Sequence, residues 1–222
     1  MLSDLATCAM ADSRRAGTPD ALFELQLQFN LFPARYAHLT WIEEAGFLQG
    51  AADAGLLADS SFWIRRVSDT LLRRNDLDRQ FDLDFSDHIK RLALLDFREL
   101  ARIGGCAASV LLRDQLRRTV RGTQVEAIRA CIGADAHVYA LNWNHPVPAL
   151  QSVDLQARWD DVQHWEMQSA GLVSLCIPPN APGTLRRLWF KYPHSWRTAR
   201  SSTRTTEAQR IAIGELLLRI VR

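Results

Sequence analysis

The sequence of 222 residues has few of the features that identify a membrane, exported or disulfide-bonded protein. No run approaches the roughly 18 uncharged apolar residues that a membrane-spanning helix needs. No basic start leads into an apolar block near the first residues, as it does in a secretory signal peptide. The four cysteines lie far apart and form no C-x-x-C pair, so we expect reduced thiols. These absences favour a cytosolic protein without direct insertion into a membrane.

Residue patterns typical of catalytic and cofactor sites are also missing. The six histidines are at least eight residues apart, which disfavours zinc. A calcium loop starting at Asp76 would place Phe81 where the sharp turn needs glycine. There is no phosphate-binding glycine loop and no G-x-S-x-G motif, and Cys106 has no nearby cation to activate it. We therefore expect no enzyme, no metal, no cofactor and no small-molecule substrate.

Composition and hydrophobic spacing predict a mainly helical globular protein. The chain is 47% hydrophobic and 23% charged, an ordinary balance for a folded domain. Residues 1–20 are small and polar without sustained periodicity, and we interpret them as a flexible leader. Residues 21–222 are predicted to form a single mainly helical domain, because apolar residues recur at spacings of three and four. About seven or eight short helices would account for this pattern.

Local signals set the expected helix ends. Gly104 and Gly105 predict a break or kink, and Gly133 predicts the end of a helix. Hydroxyl-bearing residues that cap helix N-termini predict four starts, at Ser60 or Ser61, Ser86, Thr123 with Glu126 three residues on, and Thr206 with Gln209.

Two segments are candidates for β-strands. Apolar and polar residues alternate from Phe23 to Leu31, which favours a half-buried strand, although Leu22, Leu25 and Phe29 also fit a helix. The better candidate follows a proline-rich turn and consists of an apolar set, Leu188, Phe190 and Tyr192, alternating with Arg187, Trp189 and Lys191. The fold class is therefore mainly α with at most a small β hairpin or sheet.

Basic residues are concentrated near the end of the chain. Residues 184–222 contain nine Lys and Arg against two Glu, whereas residues 1–183 are net negative by five. Interleaved aromatic residues such as Trp189, Tyr192 and Trp196 would suit a small nucleic-acid-associated regulator that uses this basic tail. No helix-turn-helix or RNA-recognition pattern surrounds them, so we expect no nucleic acid and favour a protein partner.

Three segments resemble the SctK family of the type III secretion sorting platform, which includes YscK, PscK and OrgA. Residues 31–39, LFPARYAHL, are similar to the family motif F-x-P-x-x-Y-x-H-L, with Leu31 where the family often has Phe. A leucine-rich stretch with a small-residue break and an I-R-x-C run is matched by residues 94–109 and 128–131. A late helix end and an R-L-x-x-K/R-x-P segment are matched by residues 168–172 and 187–193.

The resemblance implies a helical, non-enzymatic cytoplasmic adaptor, peripheral at the inner membrane as part of the secretion apparatus. Such an adaptor links the cytosolic domain of the ring protein SctD to the SctQ pods. It needs two separated contact patches on a rigid body. Our candidates are Arg35, Tyr36 and His38 beside the N-terminal motif and, as a second patch, four residues of the later segment, Arg187, Trp189, Lys191 and Trp196. Each could instead be structural, and we expect Tyr36 to be a half-buried core residue.

Overall fold

The computed structural model describes residues 19–47, 60–147, 158–199 and 205–221, together with positions 150 and 155. Within these residues the chain forms twelve α-helices and two 3₁₀ turns and has no β-strand. The mainly α prediction is thus confirmed, with more helices in the described residues than the seven or eight expected. The predicted leader lies outside the described residues except for its last two positions.

The chain divides into two compact units, each of which is described here by itself. Unit 1 contains the described residues between positions 19 and 97 and the segment Pro179–Ala199. Its 3₁₀ turns are Pro33–Arg35 and Leu92–Leu94. Its helices are α1 Pro19–Leu31, α2 Leu39–Glu44, α3 Ser61–Arg74, α4 His88–Arg91, α10 Pro182–Trp189 and α11 His194–Ala199.

Unit 2 contains the described residues of Arg98–Pro178 and the last helix. Helix α9 packs against α12 and α7, and α8 packs against α6 and α7. The single domain proposed for residues 21–222 stays a prediction. The helices that lie wholly or mainly in unit 2 are α5 Phe97–Leu111, α6 Arg113–Arg118, α7 Gly122–Ile132, α8 Ala134–Asn142, α9 Val162–Cys176 and α12 Glu207–Val221.

The first strand candidate is wrong, because residues 23–31 belong to helix α1. The buried positions are Gln26, Phe29 and Asn30, which follow the helical spacing of three and four, whereas Phe23 is half exposed. Two of the three buried side chains are polar. The face of α1 that packs into the unit is therefore not the one that the apolar residues of the pattern indicated. Alternation in sequence therefore did not correspond to alternation in burial.

The second strand candidate is also wrong. Residues 182–189 form helix α10, and the chain then turns before α11. Residues 187 to 192 are buried without exception, including Arg187 and Lys191. The charged positions predicted a strand with one solvent-exposed face. In the structure these charged side chains point into the unit instead.

The predicted helix ends are partly confirmed. Ser60 caps α3, and Gly133 ends α7 with a φ of 88°, which favours glycine. The start predicted at Ser86 is one residue early, since the Asp87 side chain caps α4. The capping box at Thr123 is wrong: α7 begins at Gly122, and no side chain caps it.

Gly104 and Gly105 do not break a helix, because α5 runs straight through both. A Cβ on Gly104 would lie 2.8 Å from the backbone oxygen of Ser169 in α9. The glycine therefore permits close approach of two helices rather than a kink. Residues 106–111, beyond the two glycines, continue the same helix.

Candidate partner-binding site

The N-terminal motif forms a short, well-anchored turn in unit 1. Pro33 opens the 3₁₀ turn and is buried. The Tyr36 hydroxyl donates to the Phe29 carbonyl oxygen at 2.7 Å, and the two rings stack with centroids 5.5 Å apart. Burial raises the pKa of Tyr36. Tyr36 is half-buried, as expected, and only part of its surface can reach a partner.

Arg35 and His38 lie on the outer side of this turn. Arg35 is exposed, and its guanidinium lies 5.8 Å from the centre of the Phe32 ring. The Nδ1 atom of His38 accepts a hydrogen bond from the Thr40 amide at 3.3 Å and so caps α2. Burial lowers the pKa of His38, with an opposing effect of Glu43. The turn therefore presents an exposed cation and a half-buried imidazole to solvent.

The second candidate patch lies in the interior of unit 1. Arg187, Trp189, Lys191 and Trp196 are each at most 5% exposed. Arg187 donates to three backbone oxygens, those of Leu77 at 3.0 Å and of Asn30 and Gly183 at 3.4 Å. Burial lowers its pKa, and the charges of Tyr36 and Asp82 oppose that effect. These geometries favour the structural alternative for this segment.

Lys191 is buried between aromatic rings. Its Nζ lies 5.5 Å from the centre of Phe29 and 5.3 Å from that of Tyr36, and it donates to the Leu95 carbonyl oxygen. Burial lowers its pKa to about 7, and the Asp96 charge acts in the opposite direction. The contact with Tyr36 connects Lys191 directly to the N-terminal motif.

The two predicted patches are joined rather than separated. The His38 amide donates to the Phe190 carbonyl oxygen at 2.7 Å. The Trp41 indole donates to the Tyr192 carbonyl oxygen at 2.8 Å. Residues 187–196 therefore pack beneath the N-terminal motif on the interior side of unit 1. A partner could contact Arg35, Tyr36 and His38 directly.

Sequence reasoning missed the polar pair that anchors α1 in unit 1. The Asn30 amide nitrogen donates to the Asp82 carbonyl oxygen at 2.7 Å, and the Asp82 amide donates to Asn30 Oδ1 at 2.9 Å. Asn30 is fully buried. An isolated asparagine gives no sequence signal for such a contact, because its partner is a backbone 52 residues away.

The described part of the chain contains no group of three or more His, Cys, Asp or Glu placed to hold a metal ion. None of the described helices combines the length and the apolar character required to cross a bilayer.

One comparison with known proteins is informative. A family model described as YOP proteins translocation protein K (YscK) matches residues 24–222, which is nearly the whole chain. No curated protein and no solved structure matches significantly. The matched range includes the N-terminal motif and the buried segment that supports it.

Proposed function

Because the chain belongs to the YscK family of type III secretion proteins, we propose that it is a non-enzymatic cytoplasmic adaptor of the sorting platform. It would link the cytosolic domain of an SctD-like ring protein to an SctQ-like pod protein. In that position it would lie peripherally at the inner membrane. The observation that carries the proposal is the family match over residues 24–222.

The packing of unit 1 supports this role. A protein that links two others transmits position, so its contact residues need a fixed geometry. The N-terminal motif is held by backbone contacts to residues 190 and 192 and by the Tyr36 hydroxyl. We propose that Arg35, Tyr36 and His38 contact a partner and that Arg187, Trp189, Lys191 and Trp196 position them.

The nucleic-acid alternative has less support from the geometry. Phosphate binding needs cations that can reach a backbone of phosphates. Arg187 and Lys191 are at most 2% exposed and already donate to carbonyl oxygens. Of the aromatic residues that would stack on bases, Trp189, Tyr192 and Trp196 are also buried.

Co-purification tests the adaptor function. The tagged full chain is mixed with the cytosolic part of the ring protein and with the pod protein of the same organism, at low salt and at about 150 mM salt. A complex containing both partners is expected. A folded chain that captures neither partner but binds nucleic acid, with affinity falling steeply with salt, would replace the adaptor with the alternative.

Charge reversal tests the contact residues. Arg35→Glu is expected to lose one of the two partners while its far-UV circular dichroism stays unchanged, because Arg35 is exposed and supports no other residue through a hydrogen bond of its side chain in the described chain. Arg118→Glu, at an exposed position of α6, is the matched control. Normal capture of both partners by Arg35→Glu would remove Arg35 from the contact.

A further inference from the structure

A pocket of about 370 Å³ opens in unit 1 between the end of α3, helix α2 and helices α10 and α11. Three arginines from separate parts of the chain meet there. The residues that line the pocket include Trp41, Glu44, Arg74, Asp76, Arg186 and Arg197. None of them belongs to the partner contact proposed above.

The three guanidinium groups donate to neutral oxygens. Arg74 donates to the Glu44 carbonyl oxygen at 2.9 Å. Arg186 donates to the Asn75 carbonyl oxygen at 3.1 Å, and Arg197 donates to Asn75 Oδ1 at 2.6 Å. A guanidinium carries five N–H donors in a fixed plane, so most of these donors are left for a ligand.

No carboxylate of the described residues lies within 4.0 Å of these three guanidinium groups, although other arginines of the chain do form such ion pairs. Burial and the neighbouring charge of Arg186 lower the pKa of Arg197. Arg186 and Arg197 carry like charges that repel each other, and an anion between them would relieve that repulsion.

Other pocket residues restrict which anion fits. Glu44 and Asp76 also line the pocket, so two carboxylates stand against its three arginines, and the remaining positive charge matches a singly charged anion better than a doubly charged phosphate. The Trp41 ring, on which Arg197 lies at 5.7 Å, gives an apolar wall that suits the methylene stem of an acidic side chain.

We propose that this pocket binds the carboxylate of an aspartate or glutamate side chain presented by a protein partner. The carboxylate accepts hydrogen bonds from Arg186 and Arg197, and its stem packs on Trp41. The proposal rests on the proposed adaptor function for the identity of the partner as a protein. It adds a second contact to unit 1, distinct from Arg35, Tyr36 and His38.

A titration of the full chain tests the chemistry of the pocket. The probe is glutamate with an acetylated amino group and a methylamide at its carboxyl end, and the uncharged control is the same compound made from glutamine. The readout is the indole N–H signal of Trp41 in a nitrogen-15 spectrum, assigned by its loss in Trp41→Phe. A saturable shift is expected with the glutamate probe only.

Variants locate the binding. Arg197→Gln and Arg186→Gln are each expected to weaken the glutamate probe about tenfold, because each removes a charge-assisted hydrogen bond. Arg66→Gln, at an exposed position of α3, is the matched control and should bind normally. Equal shifts with both probes, no saturable shift, or tighter binding of inorganic phosphate than of the glutamate probe would overturn the carboxylate assignment.

Capture of the two proposed partners separates this inference from the adaptor function. Loss of one partner by the double variant R186Q/R197Q, with retention by wild type and Arg66→Gln, is the expected result. If wild type and R186Q/R197Q capture both partners equally, the adaptor function stands and the role of the pocket falls. If wild type captures neither, the adaptor function falls, and the glutamate titration alone decides whether the pocket binds a carboxylate.

Discussion

The two units solve the problem of burying polar groups in different ways. In the described part of unit 1 three long cations are buried, namely Lys90, Arg187 and Lys191. In the described part of unit 2 the buried polar residues are three serines and His137, whose pKa is lowered mainly by burial. Unit 1 thus carries charge in its interior, whereas the interior of unit 2 is close to neutral.

The backbone explains the difference. Residues 75–87 of unit 1 form no helix, so their buried backbone groups need partners from elsewhere. Side chains supply them: Arg187 donates to Leu77, and Asn30 pairs with both backbone groups of Asp82. Most residues of unit 2 lie in helices that satisfy their own backbones, so its serines need only bond within their own helices. Unit 1 should therefore respond to loss of single polar groups and to pH, and unit 2 to changes in packing.

The largest expected effect is in unit 1, at Asn30. Asn30→Ala removes both hydrogen bonds to Asp82 and leaves the amide and the carbonyl of this half-buried residue without their protein partners. We expect a loss of about 3 kcal/mol in the free energy of unfolding, measured by urea denaturation. Gln28→Ala, on the same helix and half-buried, is the matched control. If Asn30→Ala lowers the free energy of unfolding no more than Gln28→Ala does, the buried polar contacts do not explain the difference between the two units.

The corresponding effect in unit 2 depends on space. Gly104→Ala places a Cβ 2.8 Å from the Ser169 carbonyl oxygen and 3.1 Å from the Val173 side chain, so α5 and α9 must move apart. We expect a loss of about 2 kcal/mol. Gly105→Ala meets only the Trp165 indole nitrogen at 3.9 Å and should stabilise the helix by about 0.5 kcal/mol. Equal effects at the two glycines in urea denaturation would contradict this packing.

The helical class could be predicted from the sequence because apolar residues recur at helical spacing in most of the helices. The spacing failed where the buried residues are polar. In α1 the inward face includes Gln26 and Asn30, and beyond α10 the chain buries Lys191. Polar and charged residues are ordinarily exposed. A prediction based on that tendency therefore assigns the buried side of such a segment to solvent. Both strand errors have this cause.

The residues of the candidate site stay a prediction from the sequence, whereas their arrangement is known only from the structure. The N-terminal motif and the later segment were both identified, yet their direct contact through His38 and Phe190 depends on residues far apart in the chain. The pocket arginines illustrate the same limit. Arg186 and Arg197 both donate to Asn75 only after folding, and no local pattern connects them to that distant residue.

The pH dependence of stability sharpens the comparison further. Lys191 has a pKa of about 7 in the folded state, below its ordinary value of 10.5. Between these values the unfolded state binds more protons, so the contribution of Lys191 to stability increases as pH rises from 7. It is largest above 10.5 and is lost as pH falls to about 7.

Lys191→Met removes this dependence while retaining an apolar stem. From pH 7 to 8.5 wild type should gain stability relative to Lys191→Met, by at most about 1.4 kcal/mol per pH unit. Urea denaturation of both proteins at several pH values gives the difference, in which effects of other titrating groups cancel. A difference that stays constant with pH would show that burial does not perturb Lys191.

The smallest effect compares two capping sequences of unit 2 that look alike. At the start of α12 the Gln209 amide donates to Thr206 Oγ1 at 3.2 Å, and the Thr206 amide donates to Gln209 Oε1 at 2.8 Å. Thr123 has the equivalent sequence with Glu126, but α7 begins at Gly122 and Thr123 lies within the helix. Only Thr206 therefore satisfies an amide that the helix leaves without a partner.

Thr206→Ala should cost about 1 kcal/mol. Thr123→Ala should leave stability unchanged or raise it by up to about 0.5 kcal/mol, because alanine is the better helix former. Urea denaturation gives both values, and amide hydrogen exchange in the first turn of α12 should accelerate only in Thr206→Ala. Equal losses at the two positions would mean that both helices depend on their threonines, and the start of α7 would then lie at Thr123 as its sequence predicts.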